Sequence, residues 1–273
     1  MLRELWEYLT TPAPAAARTL GYLTETVALG ARHRRQTRAW APHVAACHAF
    51  IEQAAAAAPP GGRALVLGSG LLIEIPLAVL AARFAEVVLV DIIHARPARR
   101  RAARFANVRL AGLDVTGTLE PLAAGGPLPD PAITAAFPDG PFAFAVSCNL
   151  LSQLPILPVH TLEESGHDAD ERRCFAQALI STHVDRLRAC APVAALFSDT
   201  TALWLDPSGQ EVQRDDSLWG VSLPPADHQW GWDIAPAPEE HPRYSLRHCV
   251  SGWLNLNGTD GQGVGASSQS VLM

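Results

Sequence analysis

Lysine is absent from this chain, and all 21 basic residues are arginine. Together with alanine runs such as Ala54–Ala58, this reads as a compositional bias of the whole sequence rather than a local device. Positive charge is not in excess either. A net charge of −6 argues against a general nucleic-acid binder, which is usually basic. No stretch reaches the ~18 uninterrupted apolar residues of a membrane-spanning helix, so no membrane partner is expected. The start, Met-Leu-Arg-Glu-Leu-Trp-Glu, lacks a basic n-region followed by an apolar h-region, so no secretory signal is expected. Cysteines number five (Cys47, Cys148, Cys174, Cys190, Cys249), scattered and without CxxC spacing. That excludes a disulfide framework by pattern and favours reduced thiols in a cytosolic protein. Internal repeats are also missing. With 48% hydrophobic residues over 273 positions, the chain can bury the core of one large α/β domain with additions.

What is present begins with Arg63-Ala-Leu-Val-Leu-Gly68-Ser69-Gly70. Ala64 to Leu67 carry no polar residue and no helical period, which suits a strand buried on both faces. Gly68 and Gly70 remove two Cβ atoms where the chain leaves that strand, permitting a sharp turn and close approach of a ligand. Leu71 to Phe84 then reads as a helix, with Pro76 acceptable in its first turn. A strand, a glycine turn and a helix in this order form a nucleotide-binding unit. Further apolar strands follow at Glu86–Asp91, Val108–Asp114 and Phe142–Asn149, each closing on polar residues. Acids or amides gathered at strand ends are what a doubly wound sheet presents along its binding crevice.

Two ligand chemistries compete for such a turn. A dinucleotide fingerprint wants a third glycine where Ile73 stands, and Glu74 beside it repels a phosphate. S-adenosylmethionine has no phosphate and carries two cationic groups that tolerate a nearby acid. The order Gly68-x-Gly70, Asp91, Asp114 resembles the class I S-adenosylmethionine-dependent methyltransferases. The resemblance spans roughly residues 62 to 257. It implies a doubly wound, mostly parallel seven-stranded α/β sheet with an antiparallel closing strand. It implies cofactor contacts at Gly68, Ser69, Gly70, Glu74, Asp91, Ile92, Asp114, Val115, Asn149 and Leu150. Asp91 takes the ribose hydroxyls and Asp114 the adenine amino group. Departures are present: the acid often placed before the turn is replaced by Leu65 and Val66, and the usual third glycine is Leu72. The fourth-strand segment Asn149-Leu-Leu-Ser152-Gln153-Leu-Pro155 is not the Asp/Asn-Pro-Pro-aromatic form.

The remaining chain supplies additions. Residues 1–60 read as a helical cap, with helices over Leu2–Leu9, Ala15–Arg38 and Pro42–Ala58. Arg32, His33, Arg34, Arg35 and Arg38 within it are either a clamp for an anionic group or a solvated helix face. Arg100, Arg101 and Arg104 share one helix side and either face solvent or serve a second phosphate. Residues 116–141 read as a Pro/Gly-rich loop. The acidic run Thr161–Glu171 matches no metal-ligand spacing, and no metal is expected. Phe175–Ala189 is helical, and Val193–Thr200 is a fifth strand with Asp199 at its end. Residues 204–243 supply aromatics for a pocket wall or a satellite core. Tyr244–Leu256 alternates as the closing strand, and Gly258–Met273 reads as a mobile tail. The core domain thus runs 61–257.

Methyl transfer asks a protein to align the reactants and exclude water, with a base only where the nucleophile arrives protonated. Asn149, Ser152 and Gln153 are neutral positioning groups, although Asn149 also suits a helix cap. His160, expected in a loop, is the nearest candidate base; Gln153, Asp199 and Arg38 are candidate substrate contacts. The expectation is methyl transfer to a small molecule. Rivals are another use of the same cofactor (aminocarboxypropyl transfer or cyclisation), an NAD(P)-dependent oxidoreductase, and a non-catalytic binding protein. The acceptor and the oligomeric state are not encoded in these features.

Overall fold

Short runs that are apolar on both sides can only be satisfied inside a sheet covered on two faces. The computed structural model describes residues 2–258 and places them so. The strands are β1 (Arg63–Leu67), β2 (Glu86–Asp91), β3 (Val108–Gly112), β4 (Phe144–Cys148) and β5 (Val193–Leu205). They are followed by β6 (Glu211–Asp216), β7 (His228–Ala235) and β8 (Ser245–Trp253). Sheet order is β3-β2-β1-β4-β5-β8-β7, with β6 paired to β5 off this path. The first five strands run parallel, and β8 pairs antiparallel with both β5 and β7. The expected antiparallel closing strand is therefore present. The sheet has eight strands rather than seven, because β5 continues past its neighbours' ends and pairs with the exposed β6.

Ten helices surround the sheet among the described residues. Four precede it: α1 (Leu2–Thr10), α2 (Ala15–Thr19), α3 (Tyr22–Arg35) and α4 (Thr37–Ala56). The expected continuous helix over Ala15–Arg38 is broken at Gly21, whose φ of 88° no helix accommodates. The next helix starts at Thr37, before the expected Pro42, and carries that proline inside. Burial of Trp40 and His43 on either side of it outweighs the missing N–H. Helix α5 (Leu77–Arg83) is shorter than expected, since residues 71–76 form a loop in which Leu72 has φ 60°. α6 (Arg96–Ala102) follows β2, and α7 (Leu119–Ala123) and α8 (Pro131–Thr134) interrupt the expected loop. α9 (Ile156–Glu164) and α10 (Ala169–Cys190) complete the set. The acidic run before α10 has a structural use: Asp168 and Glu171 form a capping box at its start.

The two-residue period of the strands divides the core. Ala64 and Val66 of β1 face α4 and α5 together with Phe144, Phe197 and Trp232. Leu65 and Leu67 face α10 with Val88 and Leu196. All five cysteines are free thiols, and no helix among the described residues is long and apolar enough to cross a membrane. Of the expected tail, residues 259–273 lie outside the described residues.

The backbone around the glycine turn generates a stability contrast. Gly68 has φ 72°, and a Cβ there would sit 2.8 Å from the Cys148 carbonyl oxygen and 2.9 Å from Leu150 Cβ. Gly61 has φ 84° but open space around it. Gly61→Ala should cost about 1 kcal/mol of unfolding free energy, the left-handed penalty alone. Gly68→Ala should cost at least about 2 kcal/mol more, read by guanidinium denaturation. Equal losses would contradict the packing argument.

Candidate functional site

The strand order reverses between β1 and β4, and the crevice of an open α/β sheet lies at the carboxyl ends beside that switch. Gly68 leaves β1 there. Its missing Cβ makes room for the segment after β4. Gly70 (φ 45°) has only the Asp91 carboxylate within van der Waals range of the Cβ position. The turn is fastened to β2: the Ser69 N–H donates to the Val90 carbonyl (3.0 Å), and the Gly70 N–H donates to Asp91 Oδ2 (2.7 Å). Ile93 N–H donates to Asp91 Oδ1 (3.3 Å). Burial pushes the Asp91 carboxyl above its ordinary range, while these backbone donors oppose the shift. Each carboxylate oxygen can accept two hydrogen bonds and takes one from these donors, so both keep a lone pair for a ligand hydroxyl. Ser69 Oγ lies 3.2 Å from Nε2 of buried His94, beside half-buried Ile92.

At the end of β3, Asp114 serves its own turn first. Its Oδ1 accepts from Thr116 N–H (2.9 Å) and Oγ1 (2.6 Å), and its Oδ2 accepts from Leu119 N–H (2.8 Å). Val115 beside it is buried. Helices α2 and α3 lie over these tips. Leu23 and Ala17 pack with Ile93 and Leu119, and Gly30 sits against Leu71. Tyr22 of α3 is close enough that burial first, and the Asp114 charge second, push its phenol well above the ordinary range.

The β4 tip is tied to β5. Asn149 has φ 46°; its N–H donates to the Phe197 carbonyl (2.8 Å), and its Oδ1 accepts from Asp199 N–H (2.8 Å). Its Nδ2 has no partner among the described residues, and Leu150 beside it is half-buried. Ser152 donates its hydroxyl to Asp199 Oδ1 (2.7 Å). The other Asp199 oxygen is 3.2 Å from His248 Nδ1, an ion-pair distance without hydrogen-bond alignment. Burial alone would raise the Asp199 carboxyl, but His248 and the Ser152 hydroxyl hold it below its ordinary value. The structure thus gathers Asn149, Ser152 and Asp199 into one cluster and adds His248. Its only sequence signal was a place in the alternating closing strand.

Other candidates fall elsewhere. His160 is not in a loop: Pro158, in the first turn of α9, needs no hydrogen-bond acceptor, so the helix runs through the histidine. Its side chain is exposed, 3.5 Å from Glu164. Gln153 and Arg38 are exposed as well. Three arginines of the basic cluster are paired internally, and Arg38 has no ion pair among the described residues. Arg32 pairs with Glu240, Arg35 with Glu239, and Arg34 with Glu4 and Glu7. Arg101 donates to the Leu72 and Ile75 carbonyls of the loop after the glycine turn, so it does not await a phosphate. One surface depression is bounded by Pro138, Phe142, Arg188, Pro192 and Asn257, at the amino ends of β4 and β5, away from all these groups.

The order of the strands settles the architecture. The fold is Rossmann-like. No family model matches the chain, and no curated protein matches it in sequence. Solved structures do resemble it. One is a Burkholderia thailandensis 1,6-didemethyltoxoflavin-N1-methyltransferase with bound 1,6-didemethyltoxoflavin and S-adenosylhomocysteine. It is 14% identical, with 88% of this chain and 92% of that one covered, at a TM-score of 0.42. A second is the N-methyltransferase NodS from Bradyrhizobium japonicum, with S-adenosylhomocysteine: 12% identical, 74% and 83% covered, TM-score 0.36. A third is the 23S rRNA methyltransferase ErmE: 12% identical, 74% and 66% covered, TM-score 0.32. Likeness at this level carries no argument about the acceptor, and the fold rests on the strand order.

Two buried histidines give the fold a pH dependence. His94 and His183, whose Nε2 lies 2.9 Å from Ser147 Oγ, are both held at about 4, below their ordinary 6.5. Burial is the main cause at each, joined at His94 by the Arg99 charge. A depressed histidine favours the neutral form, so its stabilisation is complete above pH 6.5 and is lost as pH falls towards 4. The difference corresponds to at most about 3.4 kcal/mol per residue. Denaturation at pH 7 and pH 4.5 should show a smaller loss for the His94→Gln/His183→Gln variant than for the wild type. Equal losses would contradict this.

Proposed function

We propose that the crevice at the β1/β4 switch binds S-adenosylmethionine and that the chain transfers its methyl group to a small-molecule acceptor. The observation carrying this reading is Asp91, a half-buried carboxylate at the β2 tip that holds the Gly70 N–H of the glycine turn and keeps free lone pairs. A ribose diol is the ligand group that such an acceptor suits. A pyrophosphate is disfavoured on two grounds. Residues 71–76 separate the turn from α5, so no helix start lies directly behind Gly70, and Glu74 stands in that interval. The antiparallel β8 after β5 also departs from the all-parallel order of dinucleotide folds.

In this reading Ser69 and Gly70 underlie the methionine arm, and Ile92, Val115 and Leu150 flank the adenine. Asp114 Oδ2 retains one lone pair for the adenine amino group. The bound cofactor supplies an activated methyl group. The protein's share is to align the acceptor and exclude water. Asn149, fixed through its Oδ1, offers Nδ2 for alignment, and the Ser152–Asp199–His248 cluster adjoins it. Residues 1–60 act as the cap, with α3 over the strand tips. A small acceptor fits the net charge of −6 and the internal pairing of Arg32, Arg34 and Arg35, which leaves those arginines no free charge for a phosphate backbone.

Calorimetric titration should show binding of S-adenosylmethionine and none of NADPH. Asp91→Ala should weaken binding tenfold or more, as expected for about 1.5–3 kcal/mol of hydrogen bonding to a charged group. Mass spectrometry of turnover products should find S-adenosylhomocysteine rather than methylthioadenosine. An unchanged dissociation constant for Asp91→Ala, or binding of NADPH alone, would contradict the reading.

A further inference from the structure

We infer that Glu74 is the acceptor for the ammonium group of the cofactor's amino-acid arm, oriented for that task by a Trp230–His43 relay; the inference rests on the cofactor reading above. The Trp230 indole N–H donates to His43 Nδ1 at 3.0 Å. An indole nitrogen can only donate, so Nδ1 is unprotonated and the ring proton sits on Nε2. That nitrogen lies 2.8 Å from Glu74 Oε1 and donates to it. The imidazole is held on all sides: it stacks on Trp232 (4.3 Å between centroids, 9° between planes), with Cys47 Sγ 3.5 Å from Nε2. One oxygen of Glu74 is therefore fixed by a fully buried, neutral donor.

The same wiring decides against another use of the cluster. His43, Cys47 and Glu74 bring their ligand atoms within 4.8 Å of one another, as a cation site would. A metal on Nε2 would need the lone pair that the proton occupies. Moving that proton to Nδ1 would set two N–H groups face to face at Trp230.

Glu74 instead has an unmet charge. Its side chain is only 17% exposed, no arginine pairs with it among the described residues, and Oε2 has no partner there. A half-buried carboxylate whose one partner is a neutral N–H calls for a cation. Its position tells which cation. It stands in the loop after the glycine turn, and its charge reaches buried Cys148 at the β4 tip, where the turn passes. The strand before the turn offers no acid, since Leu65 and Val66 occupy its end. Glu74 supplies that negative charge from the opposite side of the turn.

The ligand carries two cations, a sulfonium and an ammonium, and three nucleosides separate them. S-adenosylmethionine has both, S-adenosylhomocysteine has only the ammonium, and 5′-methylthioadenosine has neither. In calorimetric titrations with chelator in the buffer, Glu74→Gln should weaken the first two at least tenfold and change the third less than twofold. His43→Gln should give a smaller loss with the same selectivity. Equal loss for all three would make Glu74 structural, loss for S-adenosylmethionine alone would assign it to the sulfonium, and no loss would remove it; each overturns the inference. Should Glu74→Gln not fold, the wild type can be titrated with S-adenosylhomocysteine lacking its amino group. At least tenfold weaker binding is expected, and equal affinity overturns the assignment. Failure of the wild type to bind any of these nucleosides would instead sink the cofactor reading itself.

Discussion

A single carboxylate organises the carboxyl end of this sheet. Asp91 terminates β2 one strand away from the glycine turn, and the parallel register that sets Leu67 opposite Val90 brings the two ends level. The Gly70 N–H would otherwise be a backbone donor left at a buried strand end. Asp91 satisfies it and fixes the turn in a conformation that only glycine adopts easily at φ 72° and 45°. Burying that carboxylate costs free energy, visible in its raised titration, and the compensation comes from backbone donors rather than a salt bridge. Such an acceptor is not neutralised by a protein cation, so it remains available to ligand hydroxyls.

Around that point the elements divide the labour. β4 and β5 are linked at their tips through Asn149, Ser152 and Asp199, and β8 adds His248 from the far side. α3 crosses above, and α4 brings His43 against the loop that carries Glu74. Helices α3 and α4 are fastened to distant sequence: Arg35 reaches Glu239, and Trp40 donates to the Ile234 carbonyl at 2.9 Å. The enclosure is thus built from the first sixty residues and the loop before β8 together.

The sheet was legible in the sequence because burial on both faces leaves a plain mark: a short run without polar residues. β2 ends where its acid predicted, and Gly70 meets Asp91 as their spacing implied. Less was legible where the deciding partner is remote. The arginines after Ala31 stayed open between a clamp and a solvated face because the acids of Arg32 and Arg35, Glu240 and Glu239, lie some 200 positions away. His160 attracted attention by its nearness to Asn149 along the chain, while His248, nearly 100 residues further on, is the histidine that the antiparallel β8 carries to Asp199. Gly21 and Pro42 misled in opposite directions: the glycine ended a helix that composition favoured, and burial of Trp40 and His43 carried another across a proline. The Asp168 run, which matched no motif by spacing, is a cap whose meaning depends on the helix behind it.

The central claim is that a phosphate-free adenosyl ligand lies across the ends of β1, β2 and β4 with its sugar on Asp91. A crystal structure of the chain with S-adenosylhomocysteine tests this most directly. The account predicts both ribose hydroxyls within hydrogen-bond distance of the Asp91 carboxylate, with the Gly70 N–H contact retained. A nucleoside bound elsewhere, or a ribose turned away from Asp91, would contradict it.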